Sequence, residues 1–432
     1  MTHSIPVEWW RRGAAVAEAP PAVRTGAEPR GGEAAFWALV AFTVVLVVVP
    51  QQYLPFLSAL RINLLIGAFA IAAHLFAPPK SSLLRFPIEL KLIVGLVICA
   101  LVSIPGSYWK SASIDALSDF LRVLAVCWLI GQDACSLRRL RVLFWTLVLV
   151  CVPLAYMALN NYRLGLMGQG RIAGYSNNLA ENPNDLALSL NLFLPLAAVL
   201  AVTAKRRLPR LLAWGFIALS IGAVVVTFSR GGFLTLAIEG ALFTLLLARK
   251  RGVRVILVAM VLAAIALTFL PAGYSERLST IVNIESDTTG SAQMRYGDTM
   301  VAIEFMVTHP LIGAGLGQGL LAMNELRGNL WTVVHNAYLN YGVDMAFPGF
   351  VLFVWLVLVT YRTARRIEKL PAGTVPSELL WMASGVRISL AGFIIAAFFH
   401  PVGYDFYFFY LAGLAVALKT TAARQFGVQA AA

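Results

Sequence analysis

Four side chains in this sequence have the types and settings that suit work on a phosphorylated substrate: Arg230, Arg295, Arg171 and His335. Arg230 stands in "TFSRGGF", at the hinge between two apolar runs. Arginine stays charged where water is limited and grips phosphate oxygens through two parallel N–H bonds. An arginine snorkelling to lipid headgroups would look the same in sequence. Arg295, in "SAQMRYGD", is followed by Asp298, with which it could pair across one helical turn. Arg171, in "GQGRIAGYSN", is a third arginine of this kind. His335 opens "HNAYLNYGVDMAFPG". Its side chain is the type whose ordinary pKa suits proton transfer near neutrality, and equally one that caps or hydrogen-bonds at a membrane boundary. A helix beginning there puts Tyr338 and Leu339 on the histidine's face and Asp344 about 13 Å deeper, at 1.5 Å per residue.

Other chemistries find no pattern. A serine hydrolase elbow, G-x-S-x-G, is absent. His309 and His400 each precede proline and read as turn residues, and no H-x-x-x-H spacing suggests zinc. The carboxylates Glu181, Asp185, Glu276, Glu285, Asp287, Asp298, Glu304 and Glu325 are scattered, with no D-x-D. The expectation is therefore no metal and no cofactor. "LIGAGLGQG" lacks the strand and βαβ context of a nucleotide fingerprint. Its glycines permit tight turns or close approach to a phosphate.

The elements that must position these residues are membrane helices. Hydrophobic residues make up 59% of the 432 and charged ones only 13%, far from the roughly 25% charged of soluble domains. Twelve apolar runs are long enough to span a bilayer: about 36–55, 61–78, 88–106, 115–132, 139–160, 184–203, 210–228, 231–248, 253–271, 335–360, 386–402 and 403–419. They lack the alternation of barrel strands, so the fold class is an all-α polytopic membrane protein. Of 34 Lys and Arg, 25 fall on one side of this topology and eight on the other, with Arg122 inside a span. The positive-inside rule then puts both termini in the cytoplasm. The net charge of +13 is a topology signal rather than a nucleic-acid footprint, because it sits in short juxtamembrane clusters such as "KRRLPR". Three of the four cysteines lie in spans and Cys135 in a cytoplasmic loop, leaving none to pair outside. Arg122 and Glu239 read as structural partners within the bundle, where a membrane charge normally faces.

Residues 1–33, rich in Ala, Pro, Gly and Arg, read as a disordered cytoplasmic lead-in, 34–420 as one transmembrane domain and 421–432 as a cytoplasmic tail. Two outer loops, about 161–183 and 272–334, are too long for mere connectors. In the second, Met300, Ile303 and Val307 share one face of a helix that Pro310 ends. That helix could lie along the membrane–water boundary or pack across the mouth of the bundle.

"GRIAGYSNNLAENPNDLALSLNLFLPLA", "TFSRGGFL", "MRYGDTMVAIEFMVTHPLIGAGLGQG" and "HNAYLNYGVDMAFPG", in that order, resemble successive signatures of the O-antigen ligase family. That group also holds O-antigen polymerases and protein O-oligosaccharyltransferases. The resemblance runs from about residue 170 to 350. It implies a GT-C-like glycosyltransferase of the bacterial inner membrane that works at the periplasmic face. The implied donor is an undecaprenyl-diphosphate-linked glycan and the implied acceptor lipid A-core, for lipopolysaccharide biosynthesis. The histidine of the family's "HN" helix falls on His335, beside Asn336 and Tyr338; the phosphate-binding arginines fall on Arg230 and Arg295, with Arg171 a further candidate. The Asn-Pro-Asn motif falls on Asn182, Pro183 and Asn184. One departure is Ala346, where relatives often carry glycine. A polymerase or other transferase with the same donor is the alternative function. A polysaccharide or lipid transporter is a distant one, since transport predicts midplane binding groups and internal repeats.

Overall fold

The computed structural model describes residues 32–50, 54, 56–57, 60, 62–77, 87–168, 171–172, 182–271, 273–274, 291–328 and 331–428. The lead-in up to residue 31 and the loop carboxylates Glu181, Glu276, Glu285 and Asp287 lie outside them. Fifteen helical segments follow in order: α1 (Glu33–Val48), α2 (Ile62–Leu75), α3 (Ile88–Ser103), α4 (Lys110–Asp133), α5 (Leu137–Val150), α6 (Val152–Arg163), α7 (Pro183–Thr203), α8 (Arg207–Val226), α9 (Arg230–Arg251), α10 (Arg254–Thr268), α11 (Ser291–Thr308), α12 (Gly319–Arg327), α13 (Ala337–Glu368), α14 (Ser377–Ala396) and α15 (Phe406–Phe426). A two-residue ladder, β1 (Met167–Gly168) with antiparallel β2 (Arg171–Ile172), follows α6. The chain is an all-α polytopic membrane protein: among the described residues, seven helices are long and apolar enough to cross a bilayer, α5 and α6 counting as one. Each of the twelve apolar runs holds a helix, while α11 and α12 occupy the long loop before residue 335. The loop end of the bundle is the one where α6 finishes and α7, α9 and α13 begin.

The fourteenth and fifteenth helices depart from the sequence reading. Helix α14 starts at Ser377 behind Pro376, well before 386, and α15 runs to Phe426. Arg387 lies inside α14 and pairs with Glu368 at the end of α13, so this charge marks a partly buried ion pair and no helix boundary. Arg122 also differs. It is exposed on α4 and bonds Asp119 one turn earlier, rather than facing the bundle interior. Glu239 does face the interior, its carboxyl occupying the space a side chain at Gly392 of α14 would need.

At the centre stands α7, buried on every side from Leu186 to Ala201. Small residues let its neighbours close in: Gly385 of α14 sits over Pro195, and Gly232 of α9 against Ala187. With so many apolar side chains available, such close approach is what fixes helix pairs in a membrane.

Helix α13 is broken, and the sequence gives the reason. Pro348 has no N–H, so the carbonyl of Asp344, four residues back, has no helical donor. The chain after α11 supplies replacements: Ala314 N–H donates to the Val343 carbonyl at 2.8 Å and Gly315 N–H to that of Asp344 at 3.1 Å. The Asp344 carboxylate accepts from the amides of Gly317 and Gly319, each at 2.8 Å. Gly313 must be glycine-sized, since a Cβ there would collide with the Val343 carbonyl. Gly315 and Gly317 take positive φ. The "GAGLGQG" run is thus a clamp on the break, its amides spent on α13. Inside the break Ala346 takes φ 58 and ψ −163, a conformation glycine adopts freely and other residues at a cost of about 1–3 kcal/mol.

Candidate active site at the loop end

The first half of the site is built where α7 and α9 begin side by side. Asn182 caps α7, its side-chain oxygen accepting from the amides of Asn184 (2.9 Å) and Asp185 (3.1 Å), with Pro183 as the first helical residue. Its amide nitrogen also donates to the Asp185 carboxylate. Ser229 caps α9 by accepting from Gly232 N–H at 3.1 Å, and its hydroxyl donates to the Asn184 side chain at 2.8 Å. About two turns further along α7, Asn191 donates to the Gly232 carbonyl at 2.8 Å. The Asn-Pro-Asn and Ser-Arg-Gly-Gly motifs are therefore one hydrogen-bonded unit. Arg230 is the first residue of α9, where the positive end of the helix dipole adds to its own charge. The loop after α14 covers this junction. His400 is buried there, with Nδ1 3.6 Å from Asp185 and Nε2 3.6 Å from where a Cβ at Gly231 would be.

The second half is His335, held between α11 and the start of α13. Helix α13 begins at Ala337, so His335 precedes the span and lies in the connecting segment. Its Nδ1 faces Asp298 Oδ2 of α11 at 3.9 Å, beyond hydrogen-bond reach. Both atoms are buried without a hydrogen-bond partner. The other oxygen of Asp298 is taken by Arg327, which also donates to the Thr332 hydroxyl (2.9 Å) and carbonyl (2.5 Å) and to the Met323 carbonyl (3.2 Å). Arg327 thereby fixes both the carboxylate and the segment leading into His335. Burial lowers the His335 pKa from 6.5 to about 4; the charge of Arg295 and, more weakly, His400 push the same way, against the Val333 carbonyl and Asp185. Next to His335, the Ala337 N–H donates to the Ala397 carbonyl at 2.8 Å, which brings the start of α13 to the loop that carries His400, so the two halves adjoin. The imidazole is neutral at physiological pH and able to accept a proton.

The remaining sequence candidates fall into scaffold positions. Asn336 caps α13 through bonds from Tyr338 N–H (3.0 Å) and Leu339 N–H (3.1 Å). The Tyr338 hydroxyl donates to the Ile394 carbonyl at 2.9 Å, tying α13 to α14. Arg171 sits in β2, opposite Gly168, beyond the end of α6. Four residues of the cluster had no assigned part in the sequence reading: Asp185, His400, Arg327 and Asp298 as partner of Arg327. Asp185, within "NPND", was within reach as a neighbour of a named motif. The Asp298–Arg327 pair spans 29 residues and two helices, and spacing carries no trace of it.

Residues 215–354 match the family model described as O-antigen ligase. This match, over 140 of the 432 residues, supports assignment to that family. The family segment contains Arg230, Arg295, Asp298, Arg327, His335 and the break in α13. Asn182, Asn184, Asp185 and His400 lie outside it and join the site through the contacts above. The family supports an O-antigen ligase or polymerase type of function and a glycosyltransferase-like enzyme. No curated protein matches the chain.

Proposed function

We propose that the protein is a glycosyltransferase that moves O-antigen polysaccharide from undecaprenyl diphosphate to lipid A-core at the periplasmic face of the bacterial inner membrane. The observation that supports this reading is His335 facing the buried carboxylate of Asp298 at the loop end of a membrane bundle, within the segment that matches the O-antigen ligase model. Sidedness rests on the 25-to-8 split of lysine and arginine, which favours cytoplasmic termini.

In this reading Arg230 and Arg295 hold the donor diphosphate, with Arg171 a further contact, and the acceptor hydroxyl meets His335. Asp298 faces Nδ1, leaving Nε2 as the atom that takes the hydroxyl proton. The hydroxyl oxygen bonds to the anomeric carbon as the bond from that carbon to the diphosphate oxygen breaks. Its electron pair leaves with undecaprenyl diphosphate, whose growing charge the arginines stabilise. A direct displacement inverts the anomeric configuration. Asp298, held by Arg327, stabilises the imidazolium that forms, in the manner of a carboxylate behind a catalytic histidine. No metal or cofactor takes part, so EDTA should leave transfer unchanged; loss in EDTA restored by Mg²⁺ would overturn that point.

A polymerase would use the same donor and arginines but elongate the lipid-linked chain. Deleting the protein separates the two. Loss of a ligase leaves long glycans on undecaprenyl diphosphate and bare core on lipid A. Single repeats on core without long lipid-linked chains would move the assignment to a polymerase.

A further inference from the structure

Helix α11 has three distinct faces. At 100° per residue, Tyr296, Met300, Ile303 and Val307 fall within about 60° of one another, and all four are exposed, Tyr296 and Val307 by 66% and 63%. Gln293, Gly297, Glu304 and Thr308 form a polar strip along one side of this stripe, also exposed. The remaining face packs inward through Ala302, Phe305 and Met306 and carries Asp298. Arg295 lies on that side too, away from the stripe. The helix is therefore apolar on two faces, and among the described residues this chain covers only one of them.

What covers the stripe follows from its continuation. Beyond Pro310 the exposed Leu311 and Ile312 extend it, and Ile312 lies 3.0 Å from where a Cβ at Gly106 would be. The Tyr108 N–H donates to the Ala314 carbonyl at 3.0 Å, placing the exposed Tyr108 and Trp109 beside it. These belong to the turn between α3 and α4, at the loop end of a face of α3 that exposes Val94, Ile98, Leu101 and Val102. An apolar surface thus runs up α3, past a Tyr-Trp pair of the kind that anchors proteins at membrane–water interfaces, onto α11. No lysine, arginine or acid stands in the stripe.

We propose that α11 lies in the outer surface of the bilayer, with Tyr296, Met300, Ile303 and Val307 among the lipid acyl chains and the Gln293–Thr308 strip in water. The surface is a lipid-docking face, and its occupant is the leaflet itself rather than a second protein. Resting on the function proposed above, a consequence follows: the bilayer would hold Arg295 and Asp298 at headgroup depth, where the diphosphate of a lipid-linked donor sits. The lipid contact itself does not depend on that function.

The test needs no activity. In proteoliposomes, single cysteines at 303, 307, 297 and 304, in a background lacking the four native ones, are labelled with an environment-sensitive fluorophore. Brominated phospholipids should quench 303 and 307 several-fold more than 297 and 304, and aqueous iodide should show the reverse order. Equal iodide quenching at 303 and 304 would place the stripe in water and overturn the proposal. Quenching of 303 by neither agent would mean a protein partner and overturn it as well. As a second measurement, the unmutated protein is photolabelled with a lipid-phase carbene reagent. Modified peptides from 294–309 are expected, and their absence, with α3 peptides labelled, would contradict the proposal.

Discussion

At the scale of the residue, the site turns on the charge state of His335. Its pKa of about 4 lies below the ordinary 6.5. Between these values the unfolded chain binds a proton that the folded one excludes, so this group costs stability as pH falls through that window. For activity, the acid limb of kcat/KM should lie near 4 instead of 6.5. The charge of Arg295 is the second cause of the depression, so Arg295→Gln should move that limb upward, which a pH–rate profile would read. An unshifted limb would separate Arg295 from the histidine. Bound diphosphate, being anionic, should raise the limb in kcat above that in kcat/KM. Arg230→Lys keeps the charge but loses the two-bond fork; transfer should drop about tenfold or more, since charged hydrogen bonds contribute roughly 1.5–3 kcal/mol. Wild-type transfer would leave Arg230 a headgroup contact. Residue types in the sequence pointed to His335, Arg230 and Arg295 because each is rare and costly in its setting. They did not show His400 in contact with Asp185, because His400–Pro401 has the look of any turn.

At the scale of the element, the break in α13 sets the geometry below His335. The sequence shows Pro348 and the glycine run as separate features 29 or more residues apart. What it does not show is that one exists for the other. A freed carbonyl is visible only once α13 and the 313–319 segment are seen in contact. The same holds for Ala346, a departure from the family pattern in sequence and a positive-φ residue in the structure. Ala346→Gly should relieve the strain and raise stability by about 1 kcal/mol, after part of the gain is lost to glycine's greater freedom when unfolded. A thermal unfolding curve in detergent would read it, and a lowered midpoint would contradict the strain. Gly313→Ala should act oppositely, forcing the clamp off the Val343 carbonyl; the midpoint should fall by an amount expected of a 1–3 kcal/mol loss. Helix α11 was legible as amphipathic, but its Met300, Ile303 and Val307 face turned out to be the exposed one. Periodicity finds an apolar face without saying whether protein or lipid covers it.

At the scale of the whole molecule, the all-α polytopic class was readable because the bilayer imposes one rule on every span: enough apolar residues, all backbone bonds internal. Of the helices in the twelve runs, seven among the described residues meet the length and apolarity that rule needs. The rule fails locally where charge is neutralised by a partner, as at Arg387 and Glu368, and there the helix ran past the expected end. In the proposed topology, which follows the charge split, single cysteines at 207 and 366 should resist an impermeant thiol reagent in intact spheroplasts, while one at 325 reacts. Labelling at 207 but not at 325 would invert the topology and with it the side of the site. The central claim is that the loop-end cluster transfers glycan, with His335 taking the acceptor's proton. The most direct measurement is transfer by purified protein in proteoliposomes containing undecaprenyl-diphosphate-linked polymer and lipid A-core. The wild-type protein should yield core-linked glycan and free undecaprenyl diphosphate in equal amounts, and a folded His335→Ala protein should yield neither. Normal transfer by that variant would contradict the account.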